Sequence, residues 1–193
     1  MAVRNADDIL IGGGRVFIVE EGDNNTKEFY DLGYLSGELK LEEQSSSQTI
    51  KESEGGTVLT IATNKEVHFT CSILECNLDT LVKLNPSATA IGGAGDANAD
   101  GKGYAVGSYQ SDKTFQLEAW HKKRSGNFRC IRVFKAKLSG NVTAFLVNQN
   151  NENPIALDFV GLADDTKNTD RNIYEQFEVV KADVATKVPN GGW

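Results

Sequence analysis

Across residues 33–76, hydrophobic and polar positions alternate with the two-residue period of β-strands. Residues 36–43 set Leu39 and Leu41 against Glu38, Lys40 and Glu42, whereas residues 48–52 have only Ile50 to bury. Residues 57–62 are β-branched and follow the turn signal Gly55-Gly56. Residues 66–73 align Val67, Phe69, Cys71 and Ile73 against Glu66, His68, Thr70 and Ser72. The pattern predicts four short strands with one apolar face and one face of Glu, Gln, Ser and Thr. That polar face either meets water, as in many antiparallel sheets, or lines something.

The rest of the chain is mainly strand-like. Ile9 to Ile11 lead through Gly12-Gly13-Gly14 into a buried strand at 15–19, and residues 20–27 read as a polar loop. The three glycines are not followed by Lys-Ser or Lys-Thr, and a strand stands where a phosphate-binding helix would begin. Residues 77–85 form the one predicted helix: Asn77 caps it, Asp79 and Lys83 suit its dipole, Pro86 stops it, and Leu78, Leu81 and Val82 share a face. Further strands are predicted at 104–109, 114–120, 128–138 and 153–164. In these, Phe115, Leu117 and Ala119 oppose Gln116 and Glu118; Phe128, Cys130, Phe134, Ala136 and Leu138 form one buried face; and Ile155, Leu157 and Phe159 point inward. A last run at 173–180 extends either this chain's sheet or a neighbour's. The fold class is therefore mainly β, a sandwich or barrel with one short flanking helix at about 77–85. The main domain spans 1–165, and an extension of unassigned role covers 166–193.

Charge adds an asymmetry. The 193 residues carry a net charge of -7, which argues against general attraction to phosphate. Yet residues 113–137 hold eight basic side chains against Glu118 alone, while 33–76 are net acidic. Either the two stretches form complementary faces between subunits, or Lys122, Lys123 and Arg124 cap a solvated hairpin. Trp120, Phe128 and Phe134 interleave with the bases, but their alternation reads as core and not as a stacking platform for nucleic acid. No apolar run approaches the roughly 18 residues of a membrane span, and no secretory signal is read at the start.

Candidate chemistry is sparse. Cys71, Cys76 and Cys130 are odd in number without metal-ligand spacing and are expected as reduced thiols, with Cys71 a core residue. His68 and His121 lack partners at ligand spacing, so no metal site is expected. Asp96, Asn98, Asp100 and Gly101 match the first half of a calcium loop, but Gly107 stands where a bidentate acid belongs. No nucleophile elbow occurs, and the acid pairs Glu42-Glu43 and Asp164-Asp165 give no reason for a raised pKa. The expectation is a protein without enzymatic activity and without a cofactor.

The order of elements, from Leu10-Ile11-Gly12-Gly13-Gly14-Arg15-Val16-Phe17 through residues 32–42, the hairpins and the helix to residues 155–164, resembles the tail tube (major tail) proteins of tailed bacteriophages. Related tubes serve phage-tail-like bacteriocins and type VI secretion. The resemblance implies a subunit of hexameric rings that stack into a tube with a continuous inner β-barrel, a conduit for DNA ejection. Four strands from each of six copies would make about 24, well beyond the size at which a barrel holds an aqueous lumen. On this reading Glu38, Lys40, Glu42, Thr49, Lys51, His68, Thr70 and Ser72 line the channel. The net acidic stretch 33–76 that carries them would weakly repel DNA phosphates and lower friction. Lys122, Lys123, Arg124, Glu52 and Glu54 become candidate contacts to a neighbour or a sheath. The implied partners are further copies of the chain, the tape measure, tail terminator and baseplate proteins, and DNA in transit. The implied location is the virion tail, after synthesis in the bacterial cytoplasm. The alternatives are a monomeric sandwich that binds calcium or carbohydrate through residues 96–101, and a tube subunit of an injection or secretion system.

Overall fold

The computed structural model of the chain describes residues 14–21, 26–33, 35–36, 38–51, 57–73, 78–85, 87–91, 103–106, 113–139 and 155–192. In chain order the elements are β1 (Arg15–Glu21), β2 (Lys27–Asp31), β3 (Lys40–Lys51), β4 (Thr57–Ile73), α1 (Leu78–Leu84), β5 (Ala88–Ile91), β6 (Gly103–Val106), β7 (Phe115–Lys122), β8 (Phe128–Leu138), β9 (Ile155–Leu162), β10 (Tyr174–Val179) and α2 (Val184–Lys187). The protein is mainly β, with one large antiparallel sheet and a short helix, as the alternation predicts. The sheet runs β2-β1-β7-β8-β9-β4-β3, and β10 joins the lower half of β8. β5 and β6 form a separate two-stranded ribbon.

The predicted run of four strands at 33–76 is two long ones. Residues 44–47 separate two of the predicted strands, but the ladder continues through them: Gln44 faces Glu66, Ser45 faces Lys65 and Ser46 faces Asn64. A backbone ladder uses N–H and C=O groups, so three serines interrupt the hydrophobic pattern without interrupting the strand. Register shifts between Ser46 and Ser47 and between Ile50 and Lys51 absorb the unequal lengths.

The two ends of the sheet meet through residues 31–36. The Leu32 N–H donates to the Val16 carbonyl at 2.9 Å, Leu35 bridges to Ile73, and the Ser36 N–H donates to the Ser72 carbonyl at 2.7 Å. Gly33 makes the bend at φ 99°, a region that favours glycine, while its N–H bonds the Asp31 carboxylate at 3.0 Å. β2 thus serves β1, and the chain after it serves β4.

The enclosed cluster gathers Val16, Ile18, Phe69, Ile73, Leu117, Val133, Leu157 and Phe159 from both halves of the sheet. Phe159 packs edge-on to Phe115 at 5.8 Å between ring centres. α1 closes the cluster with Leu84 and sets Thr80 beside the Asp31 carbonyl. Val82, expected on its buried face, is only half-buried, because the face that docks runs through Thr80 and Leu84 at i, i+4 spacing.

A second cluster lies on the opposite face of β1, β7 and β8, where Phe17, Trp120, Phe128 and Cys130 meet Val179 and Val188. The extension at 166–193 is thus built into the molecule, and β10 pairs with this chain's own β8. Its cover also changes the environment of Glu118. The alternation placed that residue on a wet face, yet it is 0% exposed. Its carboxylate accepts from Trp120 Nε1 at 2.9 Å, Gln116 Nε2 at 2.7 Å and Arg132 Nε at 2.7 Å. Arg132 reaches on to Glu175 of β10 at 2.6 Å and lies over the Phe177 ring. The face predicted for β8 is likewise split. An irregularity opposite Phe115 to Leu117 shifts its phase, so Phe128 and Cys130 enter the second cluster while Ala136 and Leu138 join the first, and Phe134 is half-buried.

Removing one partner of this buried charge pair leaves an uncompensated carboxylate. Arg132→Ala should lower unfolding stability in urea by about 3 kcal/mol, whereas Lys122→Ala, exposed on the same hairpin, should change it by less than about 0.5 kcal/mol.

Candidate functional site

β9 pairs with β4 only from Val67 to Ile73, whereas β3 accompanies β4 as far as Lys51 opposite Thr57. Among the described residues, 44–51 and 57–66 therefore form a ribbon of two strands without a third. At about 3.3 Å per residue the β4 side extends about 33 Å beyond the core. A lone two-stranded ribbon is marginal in water, and among the described residues no further strand pairs with either of its edges. Sheet edges that must stay free usually carry charge or proline. Residues 44–50 and 57–64 contain neither. At the root, Glu43 pairs with Lys65 at 2.7 Å and accepts a hydrogen bond from the Tyr174 hydroxyl, which ties the ribbon to β10.

Above the ribbon, four strands share a polar face. In register, Lys40 lies beside Thr70 and then Asp158; Glu42 lies beside His68, Val160 and Lys137; and Ser72 lies beside Ala156. The four strands are β3, β4, β9 and the upper part of β8, in place of four consecutive segments. Lys40 pairs with Glu42, and His68 Nδ1 stands 3.5 Å from Asp158 Oδ1 with Nε2 4.0 Å from Glu66. Glu38 joins Thr70, Ser72, Ser139 and Asp158 around a cavity of about 400 Å³.

The structure thus gathers Glu38, Lys40, Glu42, His68, Thr70 and Ser72. Thr49 lies opposite Thr60 and Lys51 opposite Thr57, in the ribbon past the register shift between Ser46 and Ser47 and apart from the other six. Asp158 and Lys137 belong to the face and were not singled out from sequence, although Asp158 alternates with Leu157 and Phe159.

The candidate contact residues separate as well. Lys122 and Arg124 are exposed, but Lys123 is 3% exposed and bonded to Glu178 at 2.5 Å, so it is no surface contact. Asn127 adds a second hydrogen bond to Glu178 at 3.0 Å. Much of the basic stretch is likewise matched within the chain: Lys113 meets Glu20 at 2.9 Å, and Lys135 meets Asp164 at 3.1 Å. Glu52, Glu54, Cys76, Asn77 and the loop at 96–101 with Gly107 lie outside the described residues.

Among the described residues no group of three or more His, Cys, Asp or Glu could hold a metal ion, and no helix is long and apolar enough to cross a membrane. Burial pushes the Cys71 thiol up to about 12 and raises that of Cys130, so both stay protonated and poorly nucleophilic.

The ion pairs set the response to acid. Burial raises the Glu20 carboxyl, but hydrogen bonds from Lys113 and Lys83 outweigh it and hold the group below the ordinary 4.5. Bonds from Lys123 and Asn127 likewise lower Glu178. Carboxyls depressed in the folded state contribute stability that is complete above their unfolded values and is lost as pH falls through the folded ones. Urea midpoints should stay level from neutral pH to about 5 and then fall, with a shallower fall in Glu20→Gln.

No protein-family model matches the chain and no curated protein matches it, so its function is to be read from its own residues.

Proposed function

We propose that this chain is a structural, self-assembling subunit of a bacteriophage tail tube, in which copies join through the β3–β4 ribbon into hexameric rings that stack around a channel for DNA. The observation that carries this reading is the ribbon, whose residues 44–50 and 57–64 carry neither charge nor proline and along which no third strand runs among the described residues. A second copy can add strand to strand along it.

The polar face supports the same reading. Four strands share it, β3, β4, β9 and the upper part of β8, and six copies bring about 24 strands, enough for a wide aqueous lumen. Its side chains are short or paired: Lys40 with Glu42, and His68 beside Asp158. Such a wall offers passing phosphates few unmatched cations to hold them, which suits a conduit better than a binding site. In this reading the protein has no catalytic role. Its partners are further copies, the other tail proteins and DNA in transit, and its place is the virion tail.

Shortening the ribbon tests the proposal without touching the core, which begins at Leu41 and Val67. Replacing residues 47–63 with an Asn-Gly turn keeps the Ser46 and Asn64 pair as the hairpin end. In sedimentation velocity the natural chain should form species far larger than one chain, and the shortened chain should stay single with unchanged circular dichroism. If the shortened chain assembles as the natural one does, the ribbon is not the joining element.

A further inference from the structure

The basic stretch is matched within the chain along much of its length, but not at the turn between β7 and β8. Among the described residues, none of Lys122, Arg124, Arg129 and Lys181 forms an ion pair. Lys122, Arg124 and Lys181 are exposed, and Arg129 is half-buried.

The acids nearby are already engaged. Glu178, opposite Arg129 in register, holds Lys123 at 2.5 Å and Asn127 at 3.0 Å. Asp183 holds Lys187 at 2.7 Å, and Glu118 and Glu175 share Arg132. Residues 119–137 contain no acid, and Asp7 and Asp8, with Arg4, lie outside the described residues. Around this turn the described residues therefore set Glu178 against Lys122, Lys123, Arg124, Arg129 and Lys181.

The cations are also held in place. The Lys123 N–H donates to the Asn127 carbonyl at 2.8 Å, and the Gly126 N–H donates to the Lys123 carbonyl at 3.0 Å, which closes the turn that carries Arg124. The Lys181 N–H donates to Asn127 Oδ1 at 3.0 Å. Gly126 turns at φ 87°, and a Cβ there would stand 3.1 Å from Lys181 Cδ, so the stem of Lys181 crosses the turn. Lys122 Nζ lies 5.7 Å from the centre of the Phe128 ring. Two chain segments thus converge on one fixed turn and present their cations together.

We infer that this hairpin end is a docking surface for an acidic polypeptide segment of another protein, whose carboxylates meet Lys122, Arg124 and Lys181. In an extended segment, alternate residues lie about 6.7 Å apart on one side, so two or three carboxylates span a turn of this size. The Arg124 guanidinium suits a carboxylate through paired hydrogen bonds. A long nucleic acid suits the surface less well, because a chain of net charge -7 is acidic beyond the patch and repels a polyanion that runs past it. The inference stands apart from the tube reading, since the surface is complete within one chain.

A fluorescein-labelled hexaglutamate peptide is the probe. Its anisotropy at low ionic strength should rise saturably with the full chain, at one site per chain, and the affinity should fall with added salt. Arg124→Gln and Lys181→Gln should each weaken binding about threefold, and the triple variant with Lys122→Gln about thirtyfold. Arg171→Gln, which removes the same charge from an exposed turn elsewhere, should leave the affinity within about twofold. The triple variant should melt no lower than the natural chain, because like charges have been removed, and this separates loss of partner from loss of fold. A hexathymidylate should bind more weakly than the peptide. Absence of saturable binding, equal weakening by Arg171→Gln, or a hexathymidylate that binds as tightly as the peptide overturns the inference.

Discussion

The constraint on which the structure turns is that backbone hydrogen-bonding groups must find partners. Within the core the constraint is met: every strand from β1 to β9 has a neighbour, and residues 31–36 bring the two ends of the sheet together around one cluster. Beyond Val67, where β9 stops, β3 and β4 go on without a third strand among the described residues. Residues 44–50 and 57–64 carry neither charge nor proline, so this part of the two strands lacks the usual guards against a further strand.

What lets the ribbon project is the firmness of what holds it. The aromatic and aliphatic cluster at Phe69, Phe115 and Phe159 fixes the upper part of β4. The C-terminal segment fixes the lower part of the sheet from the other side through Glu118, Arg132 and Glu175. The same segment touches the ribbon's root at Tyr174, so its placement and that of the ribbon are mechanically linked. A buried ion network is costly to desolvate, but once formed it leaves few alternative registers for β10.

The core was largely legible in the sequence. Val67, Phe69, Cys71 and Ile73, together with Leu157 and Phe159, announce buried faces by alternation, and α1 ends where Pro86 requires. Three things were hidden, each for a physical reason. The continuity of β3 through Gln44 to Ser47 depends on backbone pairing with β4, which side-chain polarity does not report. The burial of Glu118 and Lys123 depends on a segment more than fifty residues away covering a face that, locally, looks wet. The kinship of β3, β4, β9 and β8 on one polar face depends on sheet order, so Asp158 became part of the face only once β9 stood beside β4. β5 escaped notice because Ala88-Thr89-Ala90-Ile91 is short and weakly patterned.

Direct imaging of the purified chain by negative-stain electron microscopy tests the central claim most directly. The account predicts hollow rings, or tubes of uniform width with an open channel, whose end-on views average to sixfold symmetry. Particles that remain single compact chains at every concentration and salt condition would contradict it.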